Sequence, residues 1–464
     1  MPAIITKPLK RKLSQLIFDE VRLASNRYYI GIGKSEPYDS AENVTTPLDT
    51  IREERNARAG LQSLKSTADC SYVIPRYNWS SGSIYQAFDD NFATQPASNS
   101  YYVLTEDNQI YMCLQQSKNS AGVAQASTIK PTGTTSKVFK TSDGYAWKYL
   151  YSLTASRANK FLSANFLPVE KILDSSNVNT LTGTDTLSAL EILQATVQDS
   201  AVPGQILGLK VTTGGTGYTS APSVAFEGDG NGAAATAFVS GGAVTKIELD
   251  SSTDSGLTMG RGFNFASVTV SGGGGNGAGA RVILGPDSGM GADPRNELLS
   301  SSIMFNAKPT GIEDSNFVVD QDFRQVMLFR DPKVVIDSAL TAASGKALKF
   351  LQVTSVSDAA SFNLDTTITG GTTTAKALVD EIDSDRVYFH QTEATGFKAF
   401  QEGETISGGG NNATLVGAGV DANTKADSAD DVDLLSGDLI YIENRAPVIR
   451  NATQTEDIKI VITL

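Results

Sequence analysis

Apolar and polar positions alternate with period two where the chain ends. Ile458, Ile460, Ile462 and Leu464 share one face, and Lys459, Val461 and Thr463 share the other. That alternation predicts a strand. The earlier run Leu439-Ile440-Tyr441-Ile442 is apolar on both faces, which predicts a strand covered on both sides. A strand at the final residue has no successor to pair with, so its partners are expected far earlier. Between the runs, Glu443-Asn444-Arg445 and then Ala446-Pro447 read as a polar turn or strand exit.

The same reading organises the rest. Leu9, Leu13, Leu16, Ile17, Val21 and Ala24 recur at helical spacing over Lys7–Ser25. They predict an amphipathic helix, either docked on its own domain or lent to a neighbouring subunit. Tyr28–Gly33 reads as a strand, Asp49–Leu64 as a helix, and Ser71–Pro75 as a short strand stopped by proline. Tyr101–Leu104 and Gln109–Leu114 flank Glu106-Asp107-Asn108 as a hairpin. After the turn at Asp143-Gly144, the residues Tyr145, Trp147, Tyr149, Tyr151 and Leu153 are expected on one buried face. Asp322–Arg330 is a further strand, ended by Pro332.

Two stretches depart from this texture. Between about Leu187 and Gly285 the chain is rich in Gly, Ala, Ser and Thr, and it repeats itself. Gly215-Thr-Gly217-Tyr218 answers to Gly260-Arg-Gly262-Phe263, Ser223–Phe226 to Ser267–Val270, and Gly228–Ala233 to Gly273–Ala278. This predicts a small β module of two similar units. From Val335 to Asp430, Thr367-Ile-Thr-Gly-Gly answers to Thr405-Ile-Ser-Gly-Gly, each followed by a strand holding Ala375 or Ala413, and Asp380–Asp385 reads as an acidic turn. Asp421–Asp433 reads as a solvated acidic linker. The expected fold is mainly β with a few helices (α+β): a discontinuous β-sandwich-like core interrupted by two small β modules. The core takes 1–186, 287–334 and 433–464, and the inserts take 187–286 and 335–432.

Composition narrows the function. A chain of 464 residues can bury a substantial core. Its net charge of −13 opposes nucleic acid or an anionic membrane as partner. Two cysteines, Cys70 and Cys113, form no disulfide framework and no zinc pattern. No signal peptide and no membrane span is expected.

Candidate chemistry is sparse. His390, the one histidine, reads as a strand or loop residue. No Gly-x-Ser-x-Gly elbow accompanies it, and no carboxylate spacing completes a metal site. The glycine-rich turns lack the Lys-Ser/Thr of a phosphate loop, and the acidic turns lack the calcium-loop pattern. With 51 acidic residues, a carboxylate pair for glycoside hydrolysis is always available and argues nothing. No catalytic residue, metal ligand or cofactor is expected. This is the profile of an assembly or binding protein.

Four stretches carry a resemblance. They are Tyr29–Tyr38 with Gly33, Ser35, Glu36 and Pro37; Val73–Trp79 with Pro75, Arg76 and Trp79; Asp143–Leu150 with Asp143, Gly144, Tyr145, Trp147 and Tyr149; and the tail from Gly437 with Glu443, Asn444, Arg445 and Pro447. In kind and order they resemble the baseplate wedge subunit of T4-like contractile-tailed bacteriophages, the one that forms a dimer in each wedge. Phe323-Arg-Gln325 resembles a family segment as well. Lys34 and Tyr38 stand where the family has Arg and Trp, and Ser142 where it has Gly. The resemblance covers about the first 180 residues, a short middle segment and the last 30, and leaves out both inserts. It implies a non-catalytic virion protein of the tail baseplate, assembled in the host cytoplasm. Its partners would be a second copy of itself and other wedge proteins, with no nucleic acid and no membrane. The motif residues then mark either interfaces or internal turns. A competing expectation is a carbohydrate-binding or carbohydrate-degrading tail protein, with Tyr218 and Phe263 exposed on the insert as sugar platforms. A third is an enzyme with an unrecognised carboxylate pair.

Overall fold

The computed structural model describes residues 4–23, 27–67, 69–173, 187–334, 338–416 and 432–464. The fold is α+β and mainly β, with several sheets and a few short helices. It divides into two compact units: Met1–Asp19, Ser71–Met304 and Val461–Leu464 in one, Glu20–Cys70 and Phe305–Ile460 in the other.

The first unit centres on an antiparallel sheet ordered Tyr102–Leu104, Gln109–Gln115, Ala146–Ser152, Phe139–Lys140. The hairpin turn falls where expected, with Asn108 in the left-handed region at φ 57°. Tyr145, Trp147 and Tyr149 pack with Tyr85, Val103, Tyr111, Cys113 and Val197. Tyr151 does not continue that face as expected. Tyr149 stands opposite Tyr111 and Tyr151 opposite Ile110, so the ladder slips by one residue at Leu150. The helix Ala189–Asp199 covers this core through Val197. Its N-terminus is closed by a capping box, in which Ser188 accepts from the Glu191 backbone and Glu191 accepts from the Ser188 backbone. A further sheet runs in the order Ile458–Thr463, Ser302–Ala307, Cys70–Pro75, Phe166–Val169. The C-terminal strand therefore does have an early strand in its sheet, one position removed.

The repeated glycine stretch folds by reciprocal pairing of its two copies. Ser223–Gly228 pairs antiparallel with its own counterpart Ala266–Ser271, Val224 facing Val270. The glycine turn of each copy meets the glycine loop of the other. Gly215 lies against Asn276 and Ala278, and Gly260 lies against Asn231 and Ala233, too close in both places for a Cβ. Tyr218 covers Gly275, and Phe263 covers Gly230. Both aromatics are buried, which corrects the expectation that they are exposed sugar platforms. Stacking against a glycine backbone takes the ring face that a sugar would need.

The second unit contains two antiparallel sheets. One is ordered Ser344–Lys346, Leu61–Thr67, Tyr28–Gly33, Asp322–Arg330, Asp438–Ile449, so it joins strands from distant parts of the chain. The other is ordered Lys349–Gln352, Arg386–His390, Lys376–Asp383, Thr367–Gly370, Thr405–Gly408, Asn411–Thr414, over its own core of Leu351, Val379, Phe389 and Ile406. Again the repeated segments pair with each other, Thr369 facing Ser407. Ala413 lies in a strand, whereas Ala375 sits just before one, and both are buried in this core.

Four expectations are corrected here. The helix ends at Ala59, and Leu61–Thr67 is a strand. Gly60 is the helix C-cap, its N–H bonded to the Asn56 and Arg58 carbonyls, which frees the leucines for the sheet. Asp380–Asp383 belongs to a strand rather than a turn, and only Ser384, at φ 54°, and Asp385 turn the chain. Asp438–Ile449 is an edge strand, not one covered on both sides, and Ile440 and Ile449 are exposed. Glu443–Pro447 lies inside that strand, where a proline is tolerated because the edge needs no outward donor. Of the acidic linker, 421–431 lies outside the described residues.

Candidate functional site

The motif residues converge in two constellations, one in each unit. In the second unit, the Tyr28–Gly33 strand ends at Gly33, where a Cβ would stand 2.4 Å from the Gly60 carbonyl. The chain then turns through Lys34, at φ 62°, into Ser35-Glu36-Pro37-Tyr38. This loop sits beside an irregularity in the sheet. Phe323 faces Val448 and Gln325 faces Asn444, so Arg445, Ala446 and Pro447 stand opposite Arg324 alone. The Tyr38 hydroxyl fills the interrupted ladder. It donates to the Arg324 carbonyl, accepts from the Arg445 N–H at 3.1 Å and lies 3.2 Å from the Arg445 carbonyl. Asn444 accepts from Gln325 at 2.8 Å and donates to the Thr45 carbonyl at 2.9 Å. Glu443 accepts from Tyr441 at 3.0 Å, and Pro37 and Pro447 are exposed. The Arg324 guanidinium is buried; it donates to the Ser35 carbonyl, to Glu42 at 2.7 Å and to Asp322 at 2.9 Å.

Behind this loop lies His390. Its Nδ1 is 2.6 Å from Asp380 and its Nε2 is 3.1 Å from Glu36. Ser35 Oγ donates to the other oxygen of Asp380 at 2.7 Å, and Lys34 is 2.9 Å from Glu36. Burial alone would depress the imidazole, but Asp380 and then Glu36 outweigh it and raise its pKa to about 10. Burial would raise Glu36, but His390 and Lys34 together take it down to about 2. The ring is thus an imidazolium between two carboxylates. Serine, histidine and aspartate are all present, yet the hydroxyl donates to the aspartate and neither ring nitrogen faces it, so no base is free to activate it.

The second constellation, in the first unit, joins Pro75–Trp79 to Asp143–Tyr149. Trp79 Nε1 donates to Ser127 Oγ at 3.2 Å, and Ser127 Oγ donates to Asp143 at 3.1 Å. Asp143 also accepts from the Thr128 and Ile129 N–H groups at 2.8 and 3.0 Å, and from Thr141. Burial opposes its charge, but these bonds hold the carboxyl below its usual range. Gly144 has φ 91° and stands 2.8 Å from Ser117 Oγ at its missing Cβ. Arg76 donates to the Ser163 carbonyl at 2.8 Å and to Asn78 at 2.9 Å, and Pro75 accepts from Tyr102 at 2.7 Å. Tyr145, Trp147 and Tyr149 have no exposed surface, so they are core residues and not contact anchors.

In both places the motif side chains bond to backbone and to other side chains of their own unit. An open cleft of about 320 Å³ borders Lys34, Glu36, Tyr38, Gln325 and Asn444. Among the described residues no group of three His, Cys, Asp or Glu could hold a metal ion, and no helix is long and apolar enough to cross a membrane. Asp380, His390, Arg324 and Glu42 join the first constellation; the sequence reads His390 as a strand or loop residue and Asp380 as part of an acidic turn, and Glu42 does not stand out in it. Phe323-Arg-Gln325 was the one signal that pointed there. No family model matches the chain, and no curated protein matches it.

Proposed function

We propose that the chain is a structural virion protein, a baseplate wedge subunit of a contractile phage tail that pairs with itself and joins other wedge proteins. One observation carries this reading: the residues of rare motifs, far apart in the chain, meet as internal braces in each unit. Tyr38 spans Arg324 and Arg445, Asn444 reaches Thr45, and Trp79 is tied through Ser127 to Asp143. These braces tie distant segments into one scaffold within each unit, and the resemblance carried by the same residues links that scaffold to assembly. The saturated imidazole of His390 and the burial of Tyr218 and Phe263 both fit a protein with no reaction to perform.

The test is co-purification. Expressed with candidate wedge proteins from the same genome, the chain is expected to enter a stable complex on size exclusion, and mass spectrometry of purified tails is expected to find it. A chain that stays apart from every wedge protein and is missing from tails refutes the reading.

A further inference from the structure

The helix Lys7–Leu23 is docked with its apolar stripe facing out. Its inward seam runs Lys7, Arg11, Ser14, Phe18, Val21, the alternating four-and-three spacing of a single face. Lys7 reaches the Phe92 carbonyl, Arg11 reaches the Asn296 side chain, Ser14 is buried, and Phe18 stacks on Tyr72 at 4.5 Å. On the opposite side Ile5 is 60% exposed, just before the helix, and Leu9, Leu13 and Leu16 are 49%, 42% and 54% exposed. These leucines repeat the four-and-three spacing about half a turn away. Burying such a side chain is favourable, and lysine or arginine loses little by facing water. A helix meant to stay solvated would dock the other way round. The inward anchors hold the leucines where a partner must cover them.

The helix carries its own complement. Lys12 flanks the stripe in the basic first half, and Asp19 flanks it on the same side two turns later. Neither is ion-paired among the described residues. In an antiparallel pair the leucines of the two copies interleave, Leu13 against the partner's Leu16, and Lys12 comes beside the partner's Asp19. In a parallel pair the two-fold axis puts this flank of the two copies on opposite sides of the seam, so Lys12 and Asp19 would not meet. A two-fold pairing also closes after two copies, leaving no further stripe exposed. We infer that this helix is a homodimer contact, packed antiparallel against the same helix of a second copy. The inference rests on the self-association in the proposed function and names its surface.

Sedimentation velocity of the full chain tests it. Leu13→Glu with Leu16→Glu turns a wild-type dimer into a monomer without moving the circular-dichroism melt. Lys12→Glu and Asp19→Lys each raise the dimer dissociation constant roughly tenfold, since each sets two like-charge pairs across the axis. Combining the two substitutions restores the dimer, which only self-pairing in this direction does. A wild-type monomer, a dimer that survives the leucine variants, or a charge pair without rescue overturns the inference. So does a monomer whose leucine variants lose another wedge protein, because the helix then docks elsewhere. A dimer that survives the leucine variants leaves the wedge role standing, since that role is decided by co-purification and tail composition.

Discussion

Each of the two carboxylates around His390 takes one ring nitrogen, and that fixes how stability depends on pH. The folded imidazole titrates near 10, against about 6.5 unfolded. Its contribution is therefore complete below about pH 6.5 and is lost as pH rises toward 10. Glu36 works in the opposite direction: its contribution is present above about 4.5 and is lost as pH falls toward 2. His390→Gln leaves Asp380 buried without its counter-charge, so it is expected to cost about 3 kcal/mol or more at pH 7 in urea titrations. The variant should also lose the alkaline part of the wild-type decline. Glu297 is the converse case. Burial raises its carboxyl to about 7, and its Oε2 has no partner. The folded state favours the protonated acid, so this contribution is present below about 4.5 and is lost as pH rises through 7. Glu297→Gln stays neutral and is expected to stabilise the protein at pH 8 by about 1–2 kcal/mol, with the gain vanishing by pH 5. Neither residue announced this in the sequence. A histidine ten positions after an aspartate says nothing until the ladder brings Leu378 opposite His390.

At the scale of elements, period-two alternation and proline stops were reliable guides. The strands Tyr28–Gly33, Cys70–Pro75 and Asp322–Arg330 and the hairpin at Glu106–Asn108 stand where the pattern puts them. The departures share one physical cause, the irregular residue. Gly60 ends a helix that the charged run Arg52–Arg58 would otherwise continue, Leu150 slips a ladder, and Arg445–Pro447 bulge from another. Periodicity is blind to a single inserted residue, because only the facing strand reveals that a pair is missing. The Tyr38 hydroxyl repairs one such gap. Tyr38→Phe strands the Arg445 N–H and the Arg324 carbonyl, and a loss of about 1–3 kcal/mol is expected in chemical denaturation. Gly144→Ala combines a left-handed backbone with a clash at Ser117, and about 1–3 kcal/mol is expected from the same measurement.

For the whole molecule, the division into two units makes these effects separable. In hydrogen exchange by mass spectrometry, His390→Gln should speed exchange in Lys376–Asp383 and Arg386–His390 while Gln109–Gln115 and Ala146–Ser152 keep their protection. Gly144→Ala should give the reverse. A variant that loosened both sets equally would mean that the units open together. Both repeated stretches teach the same lesson at this scale: similarity along the chain announced two copies, and the fold paired each copy with the other. In the first stretch each copy's glycine turn admits the other copy's loop backbone closer than a Cβ would allow. The sequence by itself determined the mainly β character, the positions of most strands, the two repeats and the motif residues, because these depend on local spacing and side-chain type. Only the tertiary structure decided which distant residues meet, that Asp438–Ile449 is an edge, that Tyr218 and Phe263 are covered, and that the leucines of the first helix face outward. Those outcomes depend on strand order and on which face is docked first, and neither is written in any short stretch of residues.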